Sequence, residues 1–161
     1  MTEEHIIVLG FLAKLEILVG RWKNASGVTA QELAQLQLLA EKLLDTESHH
    51  RREEDVLFPA LEAIGIDGPP AIMRAEHDDM RESKRQLLEL TAKAGRQQWE
   101  NWRREVMLVA SNLIGTLRDH IDKEDKILYP AAMSAITDDE SWRDMKAACD
   151  RIGYCKFTPK C

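Results

Sequence analysis

The sequence predicts an all-α fold, an up-down-up-down four-helix bundle with a short C-terminal helix and tail, on three observations. Apolar residues recur at three- and four-residue steps almost throughout the 161 residues, with no sustained period-two alternation. Turn signals cut the chain into pieces of helical length. One motif is also written twice. Residues 49–60 return as residues 120–131, with His49, Glu53, Leu57, Phe58, Pro59 and Ala60 answered by His120, Glu124, Leu128, Tyr129, Pro130 and Ala131. Each copy follows a further histidine at nearly equal distance, His5 and His77.

The first helix is expected over residues 2–23, stopped by Asn24-Ala25-Ser26-Gly27. The second spans 29–64, with Thr29 as N-cap and Glu32 behind it. Gly65-Ile66-Asp67-Gly68-Pro69-Pro70 ends it, and a third helix over 70–94 runs to the break at Gly95. The fourth covers 97–135. Asp138 caps a last helix over 139–152, which Gly153 closes. Pro59 and Pro130 fall late in long helical patterns and predict a kink or a loosened stretch at each. Residues 1–136 form the bundle, and 137–161 form a helix and cysteine-containing tail packed on or beside it.

The turns set the heights of the repeated residues. In an antiparallel hairpin, residues equally far from the turn lie level. The midpoint of His5 and His49 is Gly27, that of Glu53 and His77 is Gly65, and that of His77 and His120 falls just past Gly95. Every hairpin therefore brings its candidate residues to one level of the bundle. At about 1.5 Å per residue that level lies roughly 30 Å from the first turn, near the N-terminus and residues 65–70.

At i,i+4 spacing, His49 with Glu53 and His120 with Glu124 project from one helical face, and Leu57 and Leu128 follow one turn later as an apolar wall. A single His-x-x-x-Glu is more often a surface pair. Two copies in register, each with an upstream histidine at matching height, point to a metal centre of His5, His49, Glu53, His77, His120 and Glu124. Nitrogen and oxygen donors without a nearby cysteine exclude iron–sulfur clusters and thiolate zinc. Two carboxylates able to bridge suit two non-haem iron ions, each with two imidazoles (His5 with His49, His77 with His120), bridged by carboxylate and an oxo or hydroxo group. Manganese or zinc are substitutes. The remaining coordination positions would take a small ligand such as O2, NO or peroxide.

A net charge of −6 without a basic cluster argues against nucleic acid. The apolar run 6–13 is too short to span a bilayer, and the start of the chain lacks a basic leader, so a cytoplasmic, membrane-free protein is expected. Cys149, Cys155 and Cys161 crowd one end and read as free thiols, with a redox role for the tail as the alternative.

The paired motifs with their Leu-aromatic-Pro endings, together with Gly65-Ile66-Asp67-Gly68-Pro69-Pro70 and Glu76-His77, resemble the hemerythrin-like HHE cation-binding family over about residues 1–136. The resemblance implies a four-helix bundle holding a non-haem di-iron site that binds O2 or a related ligand, with the six residues above as ligands. Oxygen-carrying members have a second histidine one turn from the third-helix ligand, where this chain has Met73 and Arg81. A two-plus-two site is closer to members that repair iron centres or react with NO or peroxide. The repair proteins carry a cysteine-bearing N-terminal domain, for which no room is expected before His5. An oxidoreductase reducing NO or peroxide and a redox or oxygen sensor are therefore alternatives to simple ligand binding.

Carriers place their last carboxylate five residues after the final histidine, so Asp125 competes with Glu124; the i+4 spacing of Glu53 favours Glu124. Among the neighbours, His50 is expected at a partly exposed position, with an outer role at the metal or a place as substitute ligand as the alternative. Glu54 and Asp125 read as solvated acids, Met73 and Met80 as packing, and Trp99, Trp102 and Trp142 as core or end-cap residues. Tyr129 reads as packing, although its hydroxyl could reach the site.

Overall fold

The computed structural model describes residues 1–159, and all regular structure among them is helical. Helix α1 spans Thr2–Arg21 and passes through a 3-10 turn at Trp22–Asn24. Helices α2 (Ala30–Leu44), α3 (Glu47–Arg52) and α4 (Phe58–Ala63) make up the second stretch, α3 and α4 being joined by a π-helical turn at Glu53–Leu57. Helix α5 covers Gly68–Ala92. Helix α6 (Trp99–Lys123) continues through a second π turn, Glu124–Leu128, into α7 (Tyr129–Ala135), and α8 covers Asp139–Ile152. No helix among the described residues is long and apolar enough to cross a membrane.

The four long helices close a ring, α1 packing on α2 and α6, and α5 on α2 and α6. Each brings an apolar stripe to the centre: Leu12, Leu15 and Leu18 of α1 meet Leu36 and Leu43 of α2, Met80 and Leu87 of α5, and Val106 and Leu113 of α6, all buried. At the end near the first turn, Trp22 lies 5.4 Å from Trp102 and 6.2 Å from Trp99. Trp99 and Trp102 tie that end down by donating from Nε1 to the carbonyls of Ala25 and Leu90. Trp142 caps the other end from a half-exposed position, donating to the Ile136 carbonyl. A second core, with Leu57, Phe58, Leu61, Met73, Leu128 and Ala132, fills the far end, so the wall expected of Leu57 and Leu128 is present.

The caps act as their sequence suggests. Thr29 and Glu32 form a reciprocal capping box, and Asp138 accepts from the Ser141 amide at 2.7 Å. Gly65, Gly95 and Gly153 have φ of 84°, 73° and 92°, a region that disfavours side chains, which is why these three breaks fall at glycine.

The second stretch departs from the single helix expected over 29–64. It breaks at Asp45 and Thr46, where the Thr46 hydroxyl donates to the Leu43 carbonyl at 2.7 Å and competes with the helical ladder. The loosening expected at the prolines takes the form of the π turns. Pro59 and Pro130 have no N–H for the carbonyl four residues back and crowd it, so the preceding turn widens. The amide of Phe58 then reaches the Glu53 carbonyl, and that of Tyr129 the Glu124 carbonyl. The wider turn lets the consecutive residues Val56, Leu57 and Phe58 all be buried.

The Thr29 box lies at the far end from the repeated histidines. Thr29→Ala is expected to lower the unfolding free energy by about 1 kcal/mol in urea titrations, with no change in metal content.

Candidate metal centre

All six residues singled out by the repeat come together among α1, α3, α5, α6 and the two π turns, and all are buried. His5 Nε2 lies 3.1 Å from His49 Nε2, and His77 Nε2 lies 2.9 Å from His120 Nε2. The two carboxylates stand between these pairs. Glu53 Oε2 is 3.6 Å from His49 Nε2 and 3.4 Å from His77 Nε2. Glu124 reaches both pairs, with Oε2 3.1 Å from His5 Nε2 and Oε1 2.7 Å from His120 Nε2. The donor atoms form two overlapping groups, Glu53, His77, His120 and Glu124 in one and His5, His49 and Glu124 in the other.

What aims the four Nε2 atoms inward is a carboxylate behind every ring. His5 Nδ1 donates to Asp125 at 2.8 Å, and His49 Nδ1 to Glu4, His77 Nδ1 to Glu54 and His120 Nδ1 to Glu76, each at 2.7 Å. With the proton on Nδ1, each Nε2 lone pair faces the centre, the tautomer a metal ligand needs. The repeat supplies these acids in order. Glu4 and Glu76 precede the upstream histidines, while Glu54 and Asp125 follow the inner carboxylates.

Glu54 and Asp125 are therefore not the free acids expected of them. Asp125 is partly exposed and sits on the Nδ1 side of His5, away from the Nε2 cluster that Glu124 occupies. Glu4 and Glu76 were missed as participants, although their places before His5 and His77 were readable from the repeat. Three of the four outer acids have a cation: Arg52 on Glu4, Lys123 on Glu76, and Arg81 on Glu54 at 2.7 Å.

The donor set fits a pair of cations. Lone pairs face lone pairs across the centre, and Glu53 Oε2 and Glu124 Oε1 are buried without a hydrogen-bond donor among the described residues. Positive charge is strongly favoured there. Burial opposes an imidazolium at His77, yet Glu124, Glu53 and Glu54 overcome it and raise its pKa to about 10. For Glu54, burial is likewise outweighed, by His77 and Arg81, and its pKa falls to about 2.

Three neighbours take places that the sequence reading did not assign them. His50 is buried, its ring stacked flat on His77 at 4.1 Å, and burial, followed by the neighbouring Lys84, pushes its pKa well below the ordinary value. Lys84 is itself buried, donating from Nζ to Thr46 Oγ1 at 2.6 Å and lying 3.5 Å from His50 Nε2. Nothing in the sequence distinguished it from a surface lysine. Tyr129 does more than pack, because its hydroxyl donates to Glu53 Oε1 at 2.6 Å.

Met73 packs in the far core, and Arg81 pairs with Glu47, Glu54 and Asp78. A small cavity beside the centre is lined by His5, His49, His50, Glu124, Cys155 and Phe157. The tail closes it from outside: Phe157 meets Phe11 edge-on at 5.2 Å, the Lys156 amide donates to Asp45 at 2.6 Å, and Thr158 donates to Glu4. Cys149 and Cys155 are free thiols, as expected, and Cys161 lies outside the described residues.

A helical bundle whose core gathers imidazoles and carboxylates in two overlapping sets defines a cation-binding protein. Residues 1–132 match the model of the hemerythrin HHE cation binding domain, and the chain belongs to that family. No curated protein matches the chain.

Lys84 gives the centre a testable surrounding. Burial lowers its pKa from 10.5 to about 7. The fold therefore favours the neutral amine, and the stability Lys84 permits is greatest above its ordinary value and declines as pH falls from there to about 7. Lys84→Met removes this decline. Relative to the parent, the variant is expected to gain about 2–3 kcal/mol between pH 9.5 and pH 7, at about 1.4 kcal/mol per pH unit. Denaturant titrations at the two pH values measure it.

Proposed function

We propose that the protein is a non-haem di-iron protein that binds O2 or a related small ligand, NO or peroxide, inside an up-down-up-down four-helix bundle. The observation that carries this reading is the convergence of four Nε2 lone pairs on Glu53 and Glu124, each imidazole held by its own carboxylate. His5 and His49 would hold one ion and His77 and His120 the other, with Glu53 and Glu124 bridging. Residues 1–136 form the bundle and 137–161 its appended helix and tail. The short connections after α1, α4 and α5 favour antiparallel neighbours.

Bound iron supplies one-electron chemistry and open coordination positions, and manganese or zinc would fill the same donors without that reactivity. The residues of the chain do the rest. The outer acids fix the tautomers and the orientation of the rings. Leu57, Leu128 and Phe58 keep water from one end, and Phe157 with Cys155 lines the small cavity from the other.

Anaerobic loading with iron(II), metal analysis and an optical spectrum on exposure to O2 or NO test the reading. Two irons per chain and a spectral change are expected. His49→Ala or Glu124→Ala should lose one or both ions. Asp125→Ala should still reach two at saturation, with affinity weakened about 10–100-fold at one position. The opposite pattern for Glu124 and Asp125 would move the bridge to Asp125.

A sensor reading is favoured by one contact, the Thr158 hydroxyl on Glu4, the acid that orients His49. On that reading the rate of proteolysis within residues 153–159 changes at least severalfold between the iron(II) and iron(III) forms. An equal rate removes it.

A further inference from the structure

Among the inward-facing positions at which the two copies of the motif differ, the one after Leu57 and Leu128 changes what reaches the donor cluster. Phe58 stacks on His77 at 5.8 Å and offers no donor atom, whereas Tyr129 stacks on His5 at 5.6 Å and carries a hydroxyl into the centre. That oxygen lies 3.4 Å from His5 Nε2 and 3.4 Å from His49 Nε2. Resting on the di-iron reading above, we propose that the phenolic oxygen of Tyr129 is a ligand of the ion held by His5 and His49, which gives that position an oxygen donor the other lacks.

The distances between donors carry the proposal. Two atoms bound to one ion at about 2.1 Å stand roughly 3.0 Å apart at a right angle and roughly 3.4 Å apart at a tetrahedral angle. The two imidazole nitrogens are 3.1 Å apart, the hydroxyl oxygen is 3.4 Å from each, and Glu124 Oε2 is 3.1 Å from His5 Nε2. Each separation falls at the spacing of ligands around one centre.

The hydroxyl proton lies between Tyr129 Oη and Glu53 Oε1, which are 2.6 Å apart. Coordination replaces the O–H bond by an oxygen–metal bond. The proton leaves to solvent and no electron moves. Loss of that proton also frees Glu53 Oε1, so the same exchange completes the bridging carboxylate. A hard, anionic oxygen favours the higher charge of iron(III), which makes the two ions unequal.

The chain has two tyrosines, Tyr129 and Tyr154, so the assignment can be read spectroscopically. Iron(III)-loaded protein is compared with Tyr129→Phe and Tyr154→Phe by metal analysis, visible absorption and resonance Raman. The expected result is a phenolate-to-iron charge-transfer band with enhanced phenolate ring modes in the parent and in Tyr154→Phe. Both features vanish in Tyr129→Phe, which keeps its helical circular dichroism and binds one of its two ions at least tenfold more weakly. Two bound irons without phenolate modes, or a band that survives Tyr129→Phe, would overturn the ligation and leave the di-iron reading standing. Failure of the parent to bind iron would overturn both.

Discussion

Four imidazole lone pairs pointed at one another are the constraint on which the rest of this structure depends. Left to themselves such atoms repel, and two buried carboxylate oxygens without donors add to the repulsion. The arrangement persists because it is held from behind by Nδ1 bonds to Asp125, Glu4, Glu54 and Glu76. Those acids need their own fixing, which Arg52, Arg81 and Lys123 provide. The large apolar core between the centre and the tryptophan end supplies the rigidity that lets the fold carry this strain of charge.

The outer ring is less symmetric than the inner one. Arg52 and Lys123 occupy equivalent places in the two copies, three residues after His49 and His120. Arg81 has no such counterpart, since the residue four after His5 is Leu9, and among the described residues Asp125 makes its bond to His5 without a paired lysine or arginine. The rings on the two sides therefore sit behind acids that are held differently. Past the end of the family match, residues 153–158 lie over the His5 and His49 side and reach Glu4.

Much of this was legible in the sequence, and what was not has a physical cause. The helices, the glycine breaks, the caps at Thr29 and Asp138, and the gathering of six His and Glu residues at one level follow from periodicity and from distances to turns. The shape of the second and fourth stretches does not, because a proline shows where a ladder is cut but not that the turn before it widens rather than bends. His50 was misplaced, and Lys84 passed over, for a related reason. A rotation of about 100° from His49 points to the flank of a helix, and only the packing of α3 against α5 decides that the flank is interior. The outer acids were visible in the repeat as matched letters, yet a carboxylate one residue off a ligand is usually solvated, and their bonds to the facing rings depend on helix pairs far apart in sequence.

Those bonds run in two directions. Glu4 and Glu76 hold rings from their own halves of the chain, while Glu54 holds His77 and Asp125 holds His5 across the halves. Neither half is complete alone, though each carries the complement of the other. Two molecules that exchanged halves would rebuild every one of these contacts, with Ile64 to Asp67 as the hinge between α4 and α5. Domain swapping therefore costs this centre nothing in chemistry. What keeps the halves of one molecule together is the turn that folds α5 back beside α4, and shortening or straightening that hinge shifts the balance toward an intertwined dimer with the same interior.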